Sequence, residues 1–138
     1  MAATIFTKII AGEIPCFRIY EDDKVFAFLD INPLSRGHTL VLPKEPAETL
    51  DQLSEESAAA LGRALPRISR AILRATAATA FNLLQNNGAT AHQAVMHVHF
   101  HIIPKYEDGT GLGLQWPAQS LSADEGKLLV TAIRAQIG

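Results

Sequence analysis

Cysteine is nearly missing from this chain: among 138 residues only Cys16 is present. An internal disulfide is thereby excluded, no pair of thiolates exists for a zinc knuckle, and a reducing compartment is the natural setting. Excess charge is missing too. Twelve basic residues stand against 14 acidic ones, a formal net charge of −2, without the surplus of Lys and Arg that non-specific contact with a nucleic-acid backbone requires. Any nucleotide bound here is expected to be small, and neither nucleic acid nor a membrane is an expected partner. No stretch approaches the roughly 18 uncharged apolar residues of a membrane span, and no basic segment near Met1 leads into an apolar run of signal-peptide length. The expectation is a soluble, cytoplasmic protein. Low-complexity tracts, charge blocks and repeats are also absent, and 138 residues with 48% hydrophobic content suit one domain spanning 1–138.

What the chain does contain is alternating short elements. Ile5, Phe6, Ile9 and Ile10 fall at helical spacing over residues 4–11, with Gly12 and Pro15 to end the helix. Residues 17–21 and 24–30 are rich in aromatic and β-branched types around Asp22-Asp23, which predicts a hairpin. A turn-forming run, Asn32 to Gly37, leads into a third strand from His38 to Leu42, stopped by Pro43. Ser54 caps a predicted helix with Leu61, Leu65, Ile68 and Ile72 in one stripe, and Pro66 predicts a kink or a split into two shorter helices. Strands over 80–85 and 95–103 follow, joined by a polar loop over 86–94. Ser122 and Glu125 match a capping box for a last helix with Leu128, Leu129 and Ile133 on its inner side. About five strands and two main helices without regular βαβ alternation make the class α+β with an antiparallel sheet.

His97-Val98-His99-Phe100-His101-Ile102-Ile103 carries the chemistry. On a strand the three imidazoles would line one face, with Val98, Phe100 and Ile102 on the other. Imidazole titrates nearest neutrality, and clustering is expected to separate the protonation states into a neutral nucleophile and a charged donor. A metal reading competes, because a His-x-His pair can supply two zinc ligands and His38 or His92 a third. No cysteine or carboxylate sits at a helpful spacing to complete such a site, so no metal and no cofactor is expected.

These residues resemble the histidine-triad (HIT) family, whose signature alternates histidine with apolar residues and which positions 97–103 match completely. The segments 5–10, 26–33 and 38–44 and the pair Asn86 and Gly88 resemble further family blocks in family order, and the likeness is greatest to the Hint branch of nucleotide-binding phosphoramidases. That resemblance implies a HIT-like fold, homodimerisation through one long helix and a sheet edge, and hydrolysis of purine nucleoside phosphoramidates, derivatives of AMP or GMP. It implies His99 as the nucleophile and His101 as donor to the phosphoryl oxygens and the leaving group. His97 and His38 would orient them. Asp30, with Ile31 beside it, would bind ribose, and Ile5, Phe6, Ile9 and Phe28 would form the slot for the base. Asn86, Gln93 and the backbone N–H of Ala94 would hold the phosphate. Thr4 and Thr7 stand where some relatives carry zinc-binding cysteines, so no structural zinc is expected.

Three points stay open at this stage. Ala94 lacks the hydroxyl of a serine frequent in the family, and His92 replaces a frequent glycine. The segment 106–115, with Gly109, Gly111 and Gly113, reads either as a flap over the site or as a plain connection. Rival functions are hydrolysis of dinucleoside polyphosphates, as in the Fhit branch, and nucleotide binding with little catalysis. Finally, Ala58, Ala59, Gly62, Ser69, Ala75 and Ala78 give the long helix a small-residue side that another helix can approach at roughly 8 Å, which with the resemblance predicts a homodimer.

Overall fold

The computed structural model describes residues 2–138. In order the elements are α1 (Ile5–Ile10), β1 (Arg18–Glu21), β2 (Val25–Leu29), β3 (Thr39–Pro43), α2 (Glu55–Thr76), β4 (Ala80–Gln85), β5 (Phe100–Lys105) and α3 (Ala123–Gln136). The strands form one antiparallel sheet ordered β1-β2-β3-β5-β4, the α+β class expected.

Alternation along the strands divides the core in two. Val25, Ala27, Val41 and Ile102 face α2 and meet Leu61, Leu65, Ile68 and Ile72, the predicted stripe. Phe26, Phe28, Leu40 and Leu42 point the other way and meet Phe6 and Ile9 of α1. Short as it is, α1 is well closed: the Thr4 hydroxyl accepts from the N–H groups of Phe6 and Thr7, and the Thr7 hydroxyl oxygen accepts from the Thr4 N–H. The two threonines thus serve as a reciprocal cap.

Several expectations are corrected. Helix α2 runs for 22 residues through Pro66 and is not split into two shorter helices, because its stripe packs on one sheet face on both sides of the proline and holds the turn that lacks a hydrogen bond. Pro43 belongs to β3, opposite Val25. Strand β5 begins at Phe100, not at residue 95. Its ladder with β3 ends at the pair Val41↔Phe100, and the next rungs would need an amide that Pro43 does not have. His97 and His99 therefore precede the strand and only His101 lies in it. The inner side predicted for α3 is not covered by this chain: Leu128, Leu129 and Ile133 are 67%, 43% and 57% exposed, and no residue of α3 is buried. Ser69 and Ala78 are buried within the chain, so the exposed small residues are Ala58, Ala59, Gly62 and Ala75. No helix among the described residues is long and apolar enough to cross a membrane.

Candidate active site

The histidines gather on the α1 side of the sheet, and hydrogen bonds to the chain leaving β3 replace the missing strand. The Val98 N–H donates to the Ala47 carbonyl at 2.8 Å, and His97 Nε2 donates to the Pro43 carbonyl at 2.8 Å. His99 Nδ1 lies 2.7 Å from the His97 carbonyl. A carbonyl can only accept, so Nδ1 carries the hydrogen and the neutral ring keeps its lone pair on Nε2. Phe6 supports that ring edge-on, with centroids 4.8 Å apart and planes at 83°. His97 thus orients His99 through its backbone oxygen, while its imidazole anchors the segment to β3. Its Nδ1 is buried without a partner.

His38, buried at the entry to β3, accepts from the Leu34 N–H at Nδ1 (3.0 Å) and meets His101 Nδ1 through Nε2 at 2.9 Å. Asp30, just past β2, has Oδ2 3.6 Å from the same Nε2, and its Oδ1 accepts from the Asn32 N–H at 2.8 Å.

All four imidazoles are held below their ordinary range, chiefly by burial. Hydrogen bonds to the carbonyls of Pro43 and His97 oppose the effect at His97 and His99 respectively, and the Asp30 charge opposes it at His38. His101 is pushed down to about 4 by burial and by the neighbouring His99 and His38 charges, against Asp30. Burial thus favours the neutral form of all four rings, His101 as well as His99, and gives no support to the expected pairing of a neutral nucleophile with a charged donor.

Two cavities meet at His99 and His101. The larger, about 370 Å³, is lined by Ile5, Phe6, Ile9, Phe28, Asp30 and Ile31, the residues that the resemblance assigns to base and ribose. Ile31 is 75% exposed, a wall residue without a core role. The smaller cavity, about 260 Å³, adds His38, Asn86 and His92 over Leu34, Leu84 and Ile103. Ala94 lines both.

Gln93 is corrected: it lines neither cavity. Its Oε1 accepts from the Gly88 N–H at 2.7 Å and its Nε2 donates to the carbonyls of Glu48 and Val95 at 2.7 and 3.0 Å, so it closes the 86–94 loop. His92 holds φ 71° at the end of that loop's 3-10 turn, in the conformation that favours glycine. The segment 106–115 also lines neither cavity; the Tyr106 N–H donates to the Thr110 carbonyl at 3.0 Å and the segment folds as a turn. Ile14, Pro15, Cys16 and Val95 are wall residues that sequence reasoning missed. An apolar pocket wall carries no signal that distinguishes it from core.

Asp30, His38 and His101 can each bring a ligand atom within 4.8 Å of the others. The carboxylate that sequence spacing lacked is thus supplied by Asp30, just past β2. Two of the three atoms are already engaged, since His38 Nε2 and His101 Nδ1 share a hydrogen, and a cation would have to break that bond.

Known proteins share this architecture. A crystal structure of a HIT family member from Bacillus subtilis superposes with a TM-score of 0.94 at 39% identity, covering 99% of each chain. Among curated proteins, adenosine 5'-monophosphoramidase hnt1 of Schizosaccharomyces pombe is 47% identical across 96% of this chain and 97% of its own length. Adenylylsulfatase HINT3 of Arabidopsis thaliana is 42% identical across 96% of this chain and 68% of its own. The family model described as HIT domain matches residues 11–108, and the chain belongs to the HIT family.

Proposed function

We propose that the protein is a nucleotidyl hydrolase that cleaves purine nucleoside 5'-monophosphate derivatives, phosphoramidates foremost, through a covalent intermediate on His99. The observation that carries the reading is the 2.7 Å bond from His99 Nδ1 to the His97 carbonyl, which leaves Nε2 as a lone pair at the junction of the two cavities. In the first step Nε2 bonds to phosphorus as the bond to the leaving group breaks, and the electron pair departs with that group. Water then attacks phosphorus, the P–N bond breaks, its pair returns to Nε2, and the water's proton goes to solvent as the nucleoside monophosphate leaves. His101 donates to the phosphoryl oxygens. Asp30 binds the ribose hydroxyls, and the backbone N–H of Ala94 stands in for the absent serine.

Cavity sizes support the leaving-group class. About 370 Å³ lies within the roughly 300–1,000 Å³ usual for a bound small molecule, whereas about 260 Å³ lies below it. One nucleoside and a small amine or sulfate fit these spaces better than two nucleosides. The two activities in the relatives' names have such leaving groups. A homodimer and a cytoplasmic setting belong to the same reading. Uncovered apolar side chains on α3, the exposed edge residues Phe81 and Leu83 of β4, and Ala58, Ala59 and Gly62 on α2 form surfaces that a second copy would bury. Light scattering is expected to give twice the chain mass at micromolar concentration.

The decisive experiment is rapid quenching of the protein with adenosine 5'-phosphoramidate, followed by peptide mass spectrometry. An adenylyl group on His99 is expected. Turnover without any labelled histidine defeats the covalent route, and AMP binding without turnover favours the binding-protein alternative.

A further inference from the structure

The run Asn32 to Gly37 between β2 and β3 reads as a plain turn, yet it is tied down more firmly than a connection needs. Ser35, 7% exposed, donates its hydroxyl to the Pro104 carbonyl of β5 at 2.6 Å, and its own carbonyl accepts from the His38 N–H at 3.1 Å. The Tyr106 hydroxyl donates to the Arg36 carbonyl at 2.6 Å. Gly37, at φ +92°, sits where a Cβ would fall 2.9 Å from Thr76 Cγ2. So held, the turn aims the Leu34 N–H at His38 Nδ1.

An amide N–H can only donate, so His38 Nδ1 bears no hydrogen and the neutral ring carries it on Nε2. That hydrogen lies on the 2.9 Å line to His101 Nδ1, which must then accept. The hydrogen of His101 is left on Nε2, the ring nitrogen that no protein group engages. We propose that the 32–37 turn is a tautomer lock: pinned by Ser35, it acts through the Leu34 amide and His38 to present His101 as a neutral Nε2–H donor to the phosphoryl group. Ser35 is thereby a positioning residue.

The lock also decides what His101 does not do. A second proton on the pair would require His38 to accept at Nε2 and carry hydrogen at Nδ1, head-on against the Leu34 N–H. His101 is therefore a hydrogen-bond donor and not a charged general acid, and the leaving group takes its proton from solvent. Of the titratable groups facing the pair, Asp30 at 3.6 Å from His38 Nε2 favours a second proton. His99, with its ring centroid 5.0 Å from that of His101, opposes one, and His92 lines the same smaller cavity.

The kinetic consequence rests on the hydrolase reading, but the tautomers do not. Long-range ¹H–¹⁵N correlation spectra of the ¹⁵N-histidine-labelled protein at pH 7 are expected to show His38 and His101 each as a single Nε2–H tautomer and His99 as Nδ1–H. An Nδ1–H form of His38 in the wild-type protein overturns the lock, whatever the variants do. Locked tautomers in a protein that hydrolyses no nucleotidyl substrate would support the lock and sink the hydrolase reading, so the two failures are distinguishable. Ser35→Ala is expected to mix the tautomers of both rings and lower kcat about tenfold with KM little changed. It is also expected to add a limb to the kcat profile between roughly pH 5 and 7, and Ser35→Thr, which keeps the hydroxyl, to reverse these effects. A folded Ser35→Ala variant with wild-type tautomers and pH profile, whatever its thermal midpoint, overturns the proposal.

Discussion

The two faces of the sheet are built from similar apolar residues but do different work. Against α2 the core is mainly apolar, from Val25 and Val41 to Ile68 and Ile72. Against α1 the same alternation supplies Phe26, Phe28, Leu40 and Leu42, but the layer is interrupted by His97, His99 and His101 and opens into two cavities. The difference teaches that one face meets its helix through an aliphatic stripe that holds the fold, while the other leaves room beside its histidines and leaves one buried nitrogen, His97 Nδ1, without a partner. An unsatisfied buried acceptor costs about 1–3 kcal/mol, and such a cost is borne on the face with the chemistry.

Substitutions on the two faces test that division. The largest effect is expected from His99→Ala, which removes the nucleophile: kcat falls by more than about a thousandfold while AMP affinity stays within about tenfold, since the imidazole matters far more to the transition state than to ground-state binding. Product assays and calorimetry measure the pair of values, and near-wild-type turnover would break the comparison. On the opposite face, Leu61→Ala empties a site that is almost fully buried and is expected to cost about 3 kcal/mol in denaturant unfolding with kcat unchanged. A kcat change of similar weight would mean that the faces are coupled.

Acid sharpens the contrast, because the buried histidines lie on the α1 face. His101 has its proton affinity depressed on folding to about 4, so the unfolded chain binds protons first as pH falls below the ordinary histidine value near 6.5. Stability is therefore full above about pH 6.5 and is lost as pH falls towards 4, where the folded ring also protonates and the loss stops. The His101 shift alone sets a ceiling of about 3 kcal/mol, and His38, His97 and His99 act in the same direction. Urea midpoints at pH 7 and pH 4.5 measure the effect, and His101→Gln is expected to reduce the difference.

Most of the architecture was legible in the sequence because it rests on local pattern: the α2 stripe, the hairpin at Asp22-Asp23 and the alternation of β2 and β3. What failed to show depended on distant partners. The start of β5 was misplaced because Pro43, more than fifty positions away from the triad, ends the ladder. Gln93 looked like a phosphate ligand until Glu48 proved to take its amide. Asp30 is far from any histidine but His38 in sequence, yet folds to within reach of the His38–His101 pair. In α3 the apolar spacing was read correctly, while the surface assigned to cover it is not in this chain. Leu34 and Ser35 gave no signal, because their contributions are a backbone N–H and a bond across 69 positions.

A smaller effect is expected from Ile31→Ala. That side chain is exposed and lines only the larger cavity, so AMP affinity is expected to fall about threefold to tenfold, the worth of part of one buried aliphatic chain, with the unfolding midpoint unmoved. Equal affinity in calorimetry would remove Ile31 from the nucleoside slot.

The smallest expected effect is none at all, and it concerns the one cluster where the chemical face could have used a cation. Asp30, His38 and His101 converge closely enough to ligate, but binding there would require His38 Nε2 to give up the hydrogen it shares with His101 Nδ1 at 2.9 Å. His38, ligating through Nε2, would then have to carry its hydrogen on Nδ1, head-on against the Leu34 N–H. A bound cation and the Leu34–His38 hydrogen bond are mutually exclusive. Dialysis against a strong chelator is therefore expected to leave kcat and KM unchanged, and added zinc to inhibit by capturing the pair. Loss of activity on chelation, restored by zinc, would show that the face works through a Lewis acid and would overturn the assignment of the hydrogen to His38 Nε2.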